Sequence, residues 1–159
     1  VAGIGAGTGR DAAWFAGKGH YVLAVEPVRE LREAGRALHT AGNIEWIDDR
    51  LPHLSVVPAS ASFDLVILCA VWQHLTDEDR TVAISRLATL IAPEGILIVS
   101  LRHGPGGVGR RVFPVSPDMM VEEARTCDLH LIRRREAKSV QLNNQVMGVS
   151  WTWLAFQKI

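Results

Sequence analysis

The chain has 159 residues, 48% of them hydrophobic, a size and apolar fraction that suit one domain (residues 1–159) with a sizeable core. Its 17 basic and 17 acidic side chains cancel to a net charge of +0, so no overall field draws it to nucleic acid or to an anionic membrane. Cys69 and Cys127 sit in apolar sequence without C-x-x-C spacing, which reads as reduced core thiols rather than a disulfide or a metal site; no apolar run approaches the roughly 18 residues of a membrane span and no leader is present, so a soluble cytoplasmic protein is expected.

The chain begins at Val1 without a methionine, already inside an apolar strand, so an N-terminally truncated domain is expected. The strand runs into Gly5-Ala6-Gly7-Thr8-Gly9 and then into a helix from Asp11 to Lys18. Alternating glycines let the backbone turn with positive φ and keep Cβ atoms away from anything lying on the turn, so a flat or anionic, nucleotide-like molecule is the natural guest. A plain strand-to-helix connection is the bland alternative. His20 to Glu26 reads as a buried parallel strand. At its end the Glu26 carboxylate can accept hydrogen bonds from both hydroxyls of a ribose lying across the turn, or else be a solvated strand-end residue.

Pro27 takes a first-turn position in a helix over Val28 to His39, and Ile44 to Ile47 is a brief third strand followed by Asp48 and Asp49. Phe63 to Ala70, apolar for most of its length, is the clearest buried strand and should lie beside the first. Its carboxyl end continues to His74, either a proton acceptor or a lid and packing residue. Thr76 caps an acidic first turn, and Ile84, Leu87, Ala88 and Ile91 mark the core face of a helix that ends before Pro93. Gly95 to Leu101 is a fifth buried strand, which makes five strand–helix repeats and a doubly wound sheet.

Arg102 to Arg111 is rich in glycine and arginine. It suits a loop closing on an anionic substrate, with contact from Arg102 or His103, and equally a solvated loop. Ser116 caps a helix to about Cys127. Leu129 to Ser139 and Val149 to Phe156 are strands whose connection, Val140 to Gly148, is too short for a crossover helix, so they must pair as an antiparallel hairpin. The Arg133-Arg134-Arg135 triplet reads as a solvent-facing edge; without interleaved aromatics it does not suggest a nucleic-acid surface.

A dinucleotide fold carries G-x-G-x-x-G and continues with parallel units. The G-x-G-x-G spacing here, Glu26, Phe63-Asp64-Leu65-Val66 and the closing hairpin together resemble the class I S-adenosylmethionine-dependent methyltransferases, over nearly the whole chain. The resemblance implies an α/β fold, a doubly wound, Rossmann-like and mostly parallel sheet with a C-terminal antiparallel hairpin. It also implies methyl transfer from S-adenosyl-L-methionine to a small-molecule acceptor. It assigns Gly5, Ala6, Gly7 and Gly9 to the cofactor, Glu26 with Pro27 to the ribose end, Asp48 or Asp49 to adenine, and the backbone at Cys69 and Ala70 to the methionine part. His74 and His103 are the catalytic candidates. In one respect the sequence departs from the family: an acidic residue usually stands two positions before the first motif glycine and helps hold the methionine ammonium, and here that position is Gly3. A non-catalytic S-adenosylmethionine-binding module and an NAD(P)-binding oxidoreductase are the alternatives.

Overall fold

The apolar residues ahead of the glycine turn, Ala2–Ile4, form β1, with hydrogen-bonded strands on both sides of it. The computed structural model describes residues 1–106, 109 and 111–159. Of the glycine- and arginine-rich loop expected after the fifth strand, Gly107, Val108 and Arg110 lie outside the described residues. The chain runs through α1 (Arg10–Gly17), β2 (Val22–Val25), α2 (Arg29–Leu38), β3 (Ile44–Ile47), β4 (Phe63–Leu68), a single tight turn at Trp72–His74, α3 (Asp77–Leu90) and β5 (Ile91–His103). It continues with α4 (Pro117–Arg125), β6 (Leu129–Lys138), α5 (Leu142–Val146) and β7 (Ser150–Lys158). Among the described residues seven strands form one sheet in the order β3-β2-β1-β4-β5-β7-β6. β1 to β5 pair in parallel, and β7 inserts antiparallel to both β5 and β6. The expected doubly wound sheet with a terminal hairpin is the observed one.

Both faces of the sheet are covered, as a parallel sheet requires. On one, Leu68, Leu97, Val99 and Leu101 of the strands meet Ile84 and Leu87 of α3 and Met120 and Ala124 of α4, and Leu154 and Phe156 of β7 extend the same core. Each of these side chains larger than alanine, fully withdrawn from water, stabilises the fold by roughly 1.5–3 kcal/mol. On the other face Ala12 and Ala16 of α1 pack on Val22, Ala24 and Trp46. The alanines let α1 approach the sheet closely, which places its first turn directly over the end of β1.

Three expectations need correction. A helix was expected after every one of the five strands, yet among the described residues β3 and β4 are joined without one. The coil between them satisfies its backbone through side chains instead: the Asp49 carboxylate accepts the N–H groups of Arg50, Ser55, Val56 and Val57 at 2.6–3.1 Å, and the Arg86 guanidinium donates to the carbonyls of His53, Leu54 and Val57 at 2.7–3.1 Å. Next, Pro27 is not in the first turn of α2, because Val28 is its N-cap and the helix opens at Arg29. Finally, β5 starts at Ile91, which pairs with Phe63 across a bulge, rather than at Gly95; α3 has already ended at Leu90. The connection between β6 and β7 holds one short helix, α5, and the strands still pair antiparallel.

Candidate functional site

The glycine turn lies at the carboxyl ends of β1 and β4, where open α/β sheets bind ligands. Gly5, Gly7 and Gly9 have φ of 69°, 58° and 84°, conformations that L side chains rarely take. The N–H groups of Gly5 and Ala6 both donate to Val25 O, at 2.8 and 2.9 Å, so the turn is tied to the end of β2. The glycines differ in what surrounds them. A Cβ at Gly5 would strike Val71 and one at Gly9 would strike the Trp46 ring at 2.6 Å, whereas one at Gly7 would meet nothing within 4 Å. The outer two are fixed by packing, and the middle one faces open space.

Glu26, 5% exposed, stands at the end of β2 with its carboxylate folded over the turn. Oε2 accepts the Gly7 N–H at 2.7 Å and Oε1 the Val28 N–H at 2.8 Å. One side chain thus connects the turn, the strand end and the lead-in to α2, and each oxygen keeps a further lone pair. Pro27 is the rigid link inside this latch. Arg32 of α2, which sequence reasoning missed, supports it from behind: Nη1 donates to Glu26 O at 2.6 Å and Nη2 to Asp48 Oδ2 at 3.0 Å. Its signal was an arginine on an otherwise solvent-type helix face, which sequence alone does not distinguish from a surface charge.

Asp48 and Asp49 diverge. The Asp48 carboxylate is 67% exposed and held beside the end of β2 by Arg32. That of Asp49 is turned inward, with four backbone N–H groups on its two oxygens. Asp48 is therefore the carboxylate with capacity left for a ligand.

A cleft of about 290 Å³ opens beside the turn, lined by Gly3, Gly7, Arg10, Asp11, Ile67 and Cys69 among others. Burial pushes the Cys69 thiol up to about 12, with the negative charge of neighbouring Asp11 adding to the effect, so the sulfur stays protonated at neutral pH. Ala70 follows with φ 59°, an uncommon conformation for a residue with a side chain. It is pinned by Ser100 Oγ, which accepts its N–H at 2.9 Å, and by Gln73 Nε2, which donates to its carbonyl at 2.7 Å. This holds the crest between β4 and the Trp72–His74 turn in one shape.

The two histidines are used differently. His74 Nδ1 lies 2.8 Å from Arg111 O, which can only accept, so Nδ1 carries the proton; Nε2 faces the Gln73 amide at 3.4 Å. Both ring nitrogens have partners, and the residue clasps the turn to the segment before Phe113. His103, at the end of β5, has Nε2 2.8 Å from Thr152 Oγ1, and that hydroxyl donates to Glu136 Oε2 at 2.6 Å. With the threonine proton committed to Glu136, His103 donates from Nε2, and in the neutral ring the lone pair is then on Nδ1. The Thr152 bond holds the Glu136 carboxyl below the usual range, with Arg134 contributing. His103 lines a second cavity of about 330 Å³ with Arg102, Phe113 and Val115; His74 lines neither this cavity nor the cleft. Thr152 and Glu136 were not legible as site residues, since they come from the hairpin. Among the described residues no group of three or more His, Cys, Asp and Glu is placed to hold a metal ion, and no helix is long and apolar enough to cross a membrane.

A mostly parallel sheet of this strand order closed by an antiparallel hairpin, with a carboxylate latched onto a glycine turn at its active edge, defines a class I S-adenosylmethionine-dependent methyltransferase fold. Residues 2–99 match the profile of the methyltransferase domain family, and the chain belongs to that family. The match sets aside the dinucleotide oxidoreductase alternative. Over 104 residues the chain is 23% identical to an uncharacterized methyltransferase of Alkaliphilus oremlandii (strain OhILAs), covering 61% of this chain and 43% of that protein. It thus spans less than half of that relative's length. In fold it is similar to the 1,6-didemethyltoxoflavin-N1-methyltransferase of Burkholderia thailandensis, solved with 1,6-didemethyltoxoflavin and S-adenosylhomocysteine, at a TM-score of 0.79 and 20% identity, covering 99% of this chain and 69% of that one. It is also similar to the magnesium protoporphyrin IX methyltransferase of Synechocystis PCC 6803 solved with S-adenosylmethionine, at a TM-score of 0.75 and 18% identity, with the same coverages of 99% and 69%.

Proposed function

We propose that this chain binds S-adenosylmethionine across the Gly5–Gly9 turn and transfers its methyl group to a small-molecule acceptor. The observation that carries the reading is the Glu26 carboxylate, buried at the strand end and bonded to the Gly7 N–H at 2.7 Å. A carboxylate in that place, with lone pairs to spare, suits the two hydroxyls of a ribose. The open space above Gly7 suits a ligand lying against bare backbone. Gly5, Ala6, Gly7 and Gly9 form the cradle, Glu26 and Pro27 its ribose end, Asp48 the adenine side, and Cys69 and Ala70 the wall toward the methionine part. Asp49, saturated by its own loop, is left out of this set. The relatives solved with S-adenosylhomocysteine or S-adenosylmethionine support the same guest.

When bound, S-adenosylmethionine supplies a methyl carbon already activated by its sulfonium. The chain's own work is then to orient an acceptor in line with that carbon and to keep water out. Where the acceptor has to lose a proton, His103 is the candidate base with a ring nitrogen to spare among the described residues, because Thr152 and Glu136 engage its Nε2 while both nitrogens of His74 are engaged. Calorimetric titration tests the reading: S-adenosylhomocysteine is expected to bind in the micromolar range and NADH not to bind, and Glu26→Ala is expected to abolish the first. Preference for NADH overturns the proposal. Turnover on a panel of hydroxyl, amine and thiol acceptors then separates an enzyme from a binding module.

A further inference from the structure

A cavity of about 210 Å³ lies between α3 and α4 and shares no lining residue with the cleft beside the glycine turn. Its walls are largely apolar, from Trp72, Val115, Met119 and Met120, and its charged groups are Asp77 and Arg80 of α3 and Glu123 of α4. The Arg80 side chain is 8% exposed; Nη1 donates to Asp77 Oδ1 at 2.8 Å and to Pro114 O at 2.9 Å, and Nε to Trp72 O at 3.4 Å. All three partners belong to lining residues, so the guanidinium sits in the cavity wall. Nη2 is buried there without a hydrogen-bond partner. An unmet donor on a buried cation is costly, and a ligand oxygen entering the cavity relieves it. Glu123 has the opposite need. No side-chain hydrogen bond holds its carboxyl, and burial raises it above the ordinary carboxylate range, with Arg80 acting against the rise and Asp77 adding to it. Asp77 is already committed to Arg80, so the three charges leave one half-buried carboxylate over.

We infer that this cavity is a second ligand site, taking a small apolar ammonium that carries an oxygen, with the nitrogen on Glu123 and the oxygen on Arg80 Nη2. The site does not depend on the reading that S-adenosylmethionine lies across the glycine turn. A neutral alcohol meets only the free donor, and an anion meets the surplus negative charge. An amino alcohol with a branched alkyl tail meets the donor, the carboxylate and the apolar walls together, and is the complementary class. Pro114 and Val115 also line the cavity of His103, so a ligand held here lies against the other side of that wall.

The test follows the methionine methyl groups by NMR on the whole chain, Met119 and Met120 reporting on the cavity and Met147, at the end of α5, serving as the reference. Leucinol, an amino alcohol with a branched alkyl tail, is expected to shift the first two and not the third, with a millimolar Kd. Isohexanol, which lacks the nitrogen, and isocaproate, which carries the opposite charge, are expected to bind at least about fivefold more weakly. Glu123→Gln, which keeps the shape of the side chain and removes its charge, is expected to weaken leucinol by the same factor. Isopentylamine, without the oxygen, is expected to lose about threefold. Silence at Met119 and Met120, equal shifts at all three methyls, or isohexanol, isocaproate or isopentylamine binding as tightly as leucinol overturns the site, and so does unchanged affinity in Glu123→Gln. S-adenosylhomocysteine is titrated separately on the same protein, so failure of the site and failure of the methyltransferase reading are told apart.

Discussion

Asp48 and Asp49 are neighbours of identical chemistry with opposite duties, and the difference is measurable. The Asp49 carboxylate, 8% exposed, holds four N–H groups of a segment that has no helix of its own. Asp49→Ala strands those donors and is expected to cost about 2–4 kcal/mol in urea denaturation. Asp48→Ala, which removes an exposed partner from Arg32, is expected to change stability by under about 1 kcal/mol. Cys69 makes a second prediction at this scale. Its thiol is pushed up to about 12 from an ordinary 9.0, so the folded protein keeps the proton that the unfolded chain would release. That contribution to stability is complete below about pH 9 and is lost as pH rises toward 12; Cys69→Ser removes this part of the alkaline decline. Alkylation of Cys69 by iodoacetamide, followed by mass spectrometry, is expected to be slow at pH 8 and to accelerate only above about pH 10.

α2 shows how an element is positioned by a residue it does not contain. Trp46 of β3 lies so close to Gly9 and Gly35 that a Cβ at either would collide with its ring. Alanine at position 35 is favoured by helix propensity by about 1 kcal/mol, yet overpacking against a buried indole costs about 1–3 kcal/mol. Gly35→Ala is therefore expected to lower the melting temperature, and Gly35→Ala with Trp46→Leu to recover part of the loss. In the sequence Gly35 is only a poor helix former inside a helix, because the ring that demands it arrives from the next strand. Helix starts were more legible. Thr76 and Ser116 were read as caps from local pattern, and their hydroxyls do accept the N–H groups of Asp79 and Met119, at 3.2 and 3.3 Å. A cap is made within a few residues, so local sequence contains it.

In the whole molecule the hairpin of β6 and β7 completes the sheet and the core together. β7 covers the edge of β5 from Ile96 to His103 and brings Leu154 and Phe156 into the core, while β6 becomes the edge strand. Its arginines suit that place: Arg134 is paired with Asp118 at 2.7 Å and with Glu136 at 3.1 Å, and the charged row discourages edge-to-edge association. Deleting residues 129–159 exposes β5 and opens the core, and the remainder is expected to lose near-ultraviolet circular dichroism and to aggregate in light scattering. Sequence by itself determined the succession of strands, the parallel sheet with its reversed last pair, and the glycine turn with Glu26 at the next strand end. All of these follow from periodicity, turn residues and connection length, which are properties of contiguous chain. Only the tertiary structure decided that Asp49 rather than Asp48 is saturated by backbone N–H groups, and that among the described residues both ring nitrogens of His74 have partners while only Nε2 of His103 does. Each of those outcomes depends on partners brought together from separate stretches of the chain, and no local pattern encodes which of several equivalent side chains packing will leave unsatisfied.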